Sequence, residues 1–292
     1  MKPIAFISCL FNQVGFKTPL KNCYNFLKHT VGNTIPDDDF FFAQIEGEVN
    51  LDINGLVDKS KYLKLKTDSV LWHKERMLNL LIQKFELLER YKFVAWIDCD
   101  VVFRKPVFIS DDCELIAFQP FSYSYRSKCP RNIDYSKEFF MDGDKYESFG
   151  LNKKNGDVGL SWIINSEYLD EIGGYFDYGI VGGGDTYFIR RALGEKVHSG
   201  CSSLDKYINE YAEYAEIKKK EIGCIPGEIY HQYHGKLVNR NYQERMQILR
   251  KHEFDPLKDL EIEKNGLYRL KNKDFEEDVR QFFLGRKEDE GT

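Results

Sequence analysis

At 292 residues and 42% hydrophobic, the chain can bury a substantial core, which excludes a disordered polypeptide. Its net charge of −5, from 42 basic and 47 acidic side chains, supplies no global basic field, so no nucleic-acid partner is expected. Seven cysteines without a C-x-x-C pair exclude a zinc ribbon and read as small hydrophobes in a reducing compartment.

Residues 4–11, IAFISCLF, read as a first strand that stops at Asn12-Gln13, and 20–29 carry apolar residues at helical spacing. A second strand spans 40–45 and stops at Glu46-Gly47, and a polar connection leads to a short strand at 62–65. The segment 69–88 has the strongest helical pattern of the chain, because Leu71, Leu78, Leu81, Phe85 and Leu88 recur three and four apart with charge on the other face. It feeds an apolar, β-branched and aromatic strand at 93–97, which Asp98-Cys99-Asp100 interrupts before Val101 to Phe103 resume it. This order of strand, helix, strand, helix, strand implies right-handed βαβ units. The fold class expected is α/β: a Rossmann-type, mostly parallel sheet flanked by helices in a single domain.

Beyond Pro106, residues 115–119 form a further strand. Residues 121–149, dense in Tyr, Phe, Lys and Asp, lack a clean period and read as a long, partly ordered excursion over the cleft. There follow a strand at 159–165, a short helix at 167–172, a helix from 182 to about 193, a helix at 205–220, a strand at 225–230 reaching His231, and a polar helix at 241–251. In the tail, Phe275, Val279, Phe282 and Phe283 share a helical face that should dock on the body, while the charged residues 286–292 should fray. The expected organisation is a domain over 1–250 with a C-terminal extension over 251–292. No secretory signal and no membrane-spanning stretch are evident, so a cytoplasmic location without a membrane span is expected.

Four constellations can carry chemistry. Asp98 and Asp100 stand at the carboxyl end of an apolar strand, where open α/β sheets bind ligands. Two ionised carboxylates there ask for a divalent cation, unless loop amides hold them. Trp72 and Lys74 stand at a helix start, whose free amides and positive dipole suit a diphosphate, with Trp72 able to stack on a base; the same residues can equally staple the helix to the core. Gly182-Gly183-Gly184 lets backbone approach a ligand closely, and Asp185 after it is either a helix cap or a base. No Gly-Lys-Ser/Thr follows, so this is not a P-loop. His231 and His234, three apart, can converge on one ion, and Lys236, Arg240 and Arg245 behind them can reach phosphates or face solvent.

Taken in order, WHKERMLNLLIQKF leading into YKFVAWIDCDVVF, then VGLSWIINSEYLDEIGGYFDYGIVGGGDT, then HQYH resemble the β-1,4-galactosyltransferase family over residues 4–245. The resemblance implies a GT-A-like fold and a metal-dependent glycosyltransferase. Such an enzyme moves a hexosyl or pentosyl group from a nucleotide-sugar donor, UDP-linked, to a hydroxyl of a glycan or other acceptor, with inversion. It further implies Mn²⁺ (or Mg²⁺) on Asp100, His231 and His234, the histidines matching the family's Met-x-x-His metal contacts. Asp185 would be the acceptor-activating base, Trp72 would lie at the uracil, and Lys74 at the diphosphate. The implied donor-binding set also takes in Phe11, Asn12, Glu46, Asn79, Asp98, Gly183 and Gly184. The family's tryptophan and glutamate flanking the second Gly-Gly are here Val181 and Gly184, which leaves the acceptor open. Two other readings stand beside this one. A haloacid-dehalogenase-like phosphatase also uses Asp-x-Asp after a strand, and a non-enzymatic carbohydrate-binding protein could use the aromatic excursion.

Overall fold

In the computed structural model, which describes residues 2–47, 49–110, 113–128, 143–240 and 244–290, the first apolar run forms β1 (Lys2–Leu10), buried on both faces from Ile4 onward. A strand without polar alternation belongs inside a parallel sheet, and β1 lies there. The chain continues through α1 (Lys17–Thr30), β2 (Phe40–Glu46), β3 (Tyr62–Lys66), α2 (Lys74–Phe85), the single turn α3 (Leu87–Arg90) and β4 (Tyr91–Ile97). β1 pairs in parallel with both β2 and β4, and β2 with β3. The helix expected over 69–88 begins at Lys74, because the Trp72 amide donates to the Ile180 carbonyl (2.8 Å) instead of opening a helical turn. It breaks at Glu86, whose φ of 52° is left-handed, so Leu88 belongs to α3.

After the acidic turn come β5 (Val101–Phe103), β6 (Ala117–Gln119), β7 (Tyr123–Arg126), β8 (Asp144–Glu147), β9 (Ser161–Asn165), α4 (Ser166–Glu171), α5 (Gly184–Ala192), α6 (Ser202–Glu210), β10 (Ile222–Cys224) and β11 (Glu228–His231). Among the described residues the main sheet has seven strands in the order β10-β6-β9-β4-β1-β2-β3, with β9 alone reversed. The mostly parallel α/β architecture is therefore as the sequence implies. A second sheet, β5-β11-β7-β8, takes up part of what reads in sequence as an irregular excursion; its middle, 129–142, lies outside the described residues. The helix expected over 205–220 is shorter, ending at Glu210 before Ala212 turns to φ 54°. The polar helix expected at 241–251 is described only as α7 (Glu244–Lys251), with 241–243 outside the description.

Successive residues of β1 point to opposite faces of the sheet and feed two separate cores. Ala5 and Ile7 join Phe41, Trp96, Trp162 and Phe188 on one side; Phe6 and Leu10 join Phe26, Phe42, Phe118 and Ile163 on the other. The chain ends in α8 (Pro256–Asp259), the hairpin β12 (Leu260–Ile262) and β13 (Tyr268–Leu270), and α9 (Lys273–Gly285). α9 docks as its apolar face predicts: Phe275, Val279 and Phe283 pack with Val70, Leu71, Val181 and Phe254. The residues after it do not fray over their described part, 286–290. Phe16, the residue before α1, supplies no side-chain cap. Asp289 fills that role, accepting from the Lys17 (3.0 Å) and Thr18 (2.7 Å) amides, while the Tyr233 hydroxyl donates to the Glu290 carbonyl (2.9 Å). Open amides at a helix start attract a carboxylate from wherever the chain can supply one. No helix among the described residues is long and apolar enough to cross a membrane.

Candidate active site

The carboxyl ends of β1, β4 and β11 and the start of α5 open into one cavity of about 480 Å³. β4 ends at Ile97, and the Asp98 amide donates to Leu160 while the Val101 amide donates to the Asp98 carbonyl (3.1 Å). That tight turn moves the chain from the main sheet to the second one. There β5 pairs antiparallel with β11, setting Val101 opposite His231, and the Gln232 amide donates to the Asp100 carbonyl (2.9 Å). Strand pairing thus carries a histidine 131 residues away to the acidic turn.

Asp100 Oδ2 lies 3.3 Å from His231 Nε2 and 3.6 Å from His234 Nδ1, and the imidazole centroids are 4.4 Å apart. The donor atoms these three side chains offer all lie within 4.8 Å of one another. Adjacent ligands on an octahedral cation with bonds of about 2.1 Å are roughly 3 Å apart, so little movement would close the set on an ion. Asp100 Oδ1 and His231 Nδ1 are buried with no hydrogen-bond partner among the described residues, a cost that a bound cation and its ligand shell would relieve. One carboxylate and two imidazoles fit a divalent cation. Burial acts to raise the Asp100 carboxyl, but His231, Arg240 and Lys74 outweigh it and hold the acid below its usual range.

A second knot of charge lies beside the first. The Lys74 ammonium sits 3.1 Å from Asp98 Oδ1 and 3.7 Å from Glu75 Oε1. Burial would pull its pKa down; Asp98, Glu75 and Asp185 together hold it well above the ordinary lysine value. Burial pushes Asp98 up to about 6, with Lys74 opposing and Asp100 and Asp185 adding to the rise. Asp185 is the second residue of α5. Gly183, at φ 103°, holds the cap position instead, a conformation that suits glycine. The Asp185 side chain turns back through Oδ1 onto the Thr186 amide (2.7 Å).

Of the residues singled out in the sequence, Phe11, Asn12, Trp72, Lys74, Asp98, Asp100, Gly183, Asp185, His231 and His234 all line this cavity. Glu46, Asn79 and Gly184 do not. Glu46 ends β2, beyond β1, and pairs with Lys64 (2.6 Å). Asn79 is occupied in clamping the loop before α5, exchanging hydrogen bonds with the Tyr175 carbonyl and amide (2.8 and 2.9 Å). Gly184 lies beneath Glu75, whose carboxyl group a Cβ at 184 would overlap. Trp72 has Phe11 edge-on at 5.0 Å, Phe283 parallel at 6.5 Å and the Arg286 guanidinium 5.4 Å from its ring centre. The cavity also draws in Glu75, Arg126, Asp157, Arg286 and Glu288, which the sequence reading passed over. The available signal was a glutamate beside the helix-opening lysine and a Gly-Asp turn before β9. Nothing local marked the arginine and glutamate of a charged tail.

No protein-family model and no curated protein matches the chain. Similar solved structures include residues 1–349 of S. aureus TarS in complex with UDP-GlcNAc, at 14% identity over 87% of this chain and 69% of that one, with a TM-score of 0.42. The same protein with UDP aligns at 12% identity over 87% and 68%, TM-score 0.40. The mannosyltransferase PcManGT from Pyrobaculum calidifontis, in complex with GDP-Man and Mn²⁺, aligns at 10% identity over 87% and 64%, TM-score 0.42.

Proposed function

We propose that the cavity binds a nucleotide sugar together with a divalent cation and transfers the sugar to a hydroxyl acceptor. The observation that carries this reading is the convergence of Asp100, His231 and His234 in the same cavity as Asp185. Asp100, His231 and His234 would hold the cation. When bound there, the cation supplies charge neutralisation to the leaving diphosphate. Arg240, Arg245 and Arg286 line the same cavity and suit the remaining phosphate charge. Lys74 has Asp98 and Glu75 around it, so its part is to orient those carboxylates, with Asp98 available to a ribose hydroxyl. Asp185 takes the proton of the acceptor hydroxyl as that oxygen attacks the anomeric carbon, and a single in-line displacement gives inversion. The preference for a UDP-linked donor, with Mn²⁺ as the ion, is carried over from the resemblance in the sequence.

The test is nucleotide release from a panel of UDP- and GDP-linked sugars. Release should require Mn²⁺ or Mg²⁺, stop on chelation, and fall roughly 10²–10⁴-fold in Asp185→Asn, the usual worth of a general base. No release from any donor, or release indifferent to chelator, rejects the reading; full turnover by Asp185→Asn reassigns the base.

A further inference from the structure

Glu75 at the start of α2, Arg126 at the end of β7 and Asp157 before β9 line the cavity without a part in holding the donor. They come from separate elements, and Glu75 and Asp157 each lie close to the segment that carries Asp185 or to its side chain. A Cβ at Gly159 would stand 3.1 Å from Asp185 Oδ2 and 3.7 Å from Asp157 Oδ1, so these two carboxylates flank the same stretch of bare backbone. The Glu75 carboxyl lies against Gly184, the first residue of the helix that carries Asp185. Its side chain is 6% exposed, and its ion pair is with a lysine that stands closer to Asp98. Arg126 bonds Asp157 through its guanidinium, which also stacks over Tyr146 at 4.6 Å. Arg126 Nε is buried without a hydrogen-bond partner among the described residues.

Building on the glycosyl-transfer reading, we propose that Glu75, Asp157 and Arg126 form the acceptor subsite, and that the acceptor is an uncharged sugar presenting two adjacent hydroxyls. Carboxylates accept hydrogen bonds and a guanidinium donates them; a polyol does both. One hydroxyl meets Asp185 and attacks, while its neighbour is held by Glu75 and Asp157. With Asp185, Glu75 and Asp157 all lining one cavity, like-charge repulsion disfavours a phosphorylated or carboxylated acceptor. Among the described residues their oxygens do not converge as the Asp100, His231 and His234 ligand atoms do, and Lys74 and Arg126 already stand against two of them. Burial pushes Glu75 up to about 7, with Lys74 opposing and Asp185 adding, so near neutrality this group can either donate to or accept from a hydroxyl.

The experiment is saturation-transfer NMR of uncharged methyl glycosides on the full chain with Mn²⁺ and UDP or GDP, beside the matching sugar 6-phosphates and uronates. Wild type, Asp157→Asn and the isosteric Glu75→Gln are compared, each checked for an unchanged thermal transition. Uncharged glycosides should bind wild type, bind at least tenfold more weakly to both variants, and weaken similarly when one of the adjacent hydroxyls is removed. Where turnover is seen, the rise in acceptor KM should exceed any change in donor KM. Tighter binding of the phosphorylated or carboxylated sugars overturns the proposal, as does binding indifferent to Asp157→Asn, or a second Mn²⁺ equivalent that Glu75→Gln removes. Because the binding arm needs no turnover, failure of nucleotide release rejects the transferase reading while this arm still decides the subsite.

Discussion

His73 stands one residue before α2 with 1% of its surface exposed and Nε2 3.3 Å from the Ser69 carbonyl. Burial lowers its pKa from 6.5 to about 4, although the Ser69 carbonyl favours the protonated ring. The folded value is depressed, so the unfolded chain binds the extra proton first. The ring's contribution to stability is then complete above pH 6.5 and is lost as pH falls towards 4. At about 1.4 kcal/mol per unit this amounts to about 3 kcal/mol. Denaturant midpoints at pH 4 and pH 7 should therefore differ more for wild type than for His73→Gln; equal differences would show that the ring does not titrate on unfolding. At this scale Asp100, His231 and His234 were legible as candidates because Asp98-Cys99-Asp100 cuts an apolar strand and two of six histidines stand three apart. Glu75 and Asp157 were not, since each looks in sequence like an ordinary solvated acid. Only the packing of Gly184 and Gly159 reveals which way they face.

Among the elements, α2, β1, β2 and β4 were readable from periodicity and apolar runs, while β7 and β8 were not. Their residues are short runs of tyrosine, serine and charged side chains without an apolar face, and the pairing that makes sense of them is cross-strand: Tyr125 opposite Lys145, and the Lys145 ammonium 3.7 Å from the Tyr123 ring centre. This small sheet matters because its β5–β11 register brings His231 to Asp100. The main sheet depends at its β10 edge on a glycine contact. A Cβ at Gly150 would overlap the Gly223 carbonyl, and the Gly150 amide already donates to Gln119 Oε1 (3.0 Å). Neither partner can move aside, because one is strand backbone and the other belongs to β6. Gly150→Ala should cost about 1–3 kcal/mol in denaturant unfolding. Gly285→Ala, whose Cβ meets nothing within 4 Å, should cost nothing or stabilise slightly. Equal midpoints for the two variants would contradict the contact.

On the scale of the whole molecule, the carboxyl end of β1 and the residues after α9 meet at the cavity. Arg286 and Glu288 line it and pair with each other (2.7 Å), while Asp289 caps α1 some 270 residues earlier. Composition alone makes this tail look solvated, because a carboxylate that caps a distant helix carries no local signature. Asp289→Ala should lower stability by about 1 kcal/mol, the ordinary worth of a helix cap, and the melting temperature by a few degrees. An unchanged melting temperature would mean that the tail does not anchor α1. The convergence of β4, β11 and the start of α5 on one cavity makes a sharper demand. Electron paramagnetic resonance of Mn²⁺ titrated into the protein, with and without UDP or GDP, should show one ion per chain, bound more tightly when the nucleotide is present. Asp100→Asn and His234→Ala should weaken that binding at least tenfold. Manganese bound with undiminished affinity by both variants would contradict the site, and with it the chemistry built around Asp100.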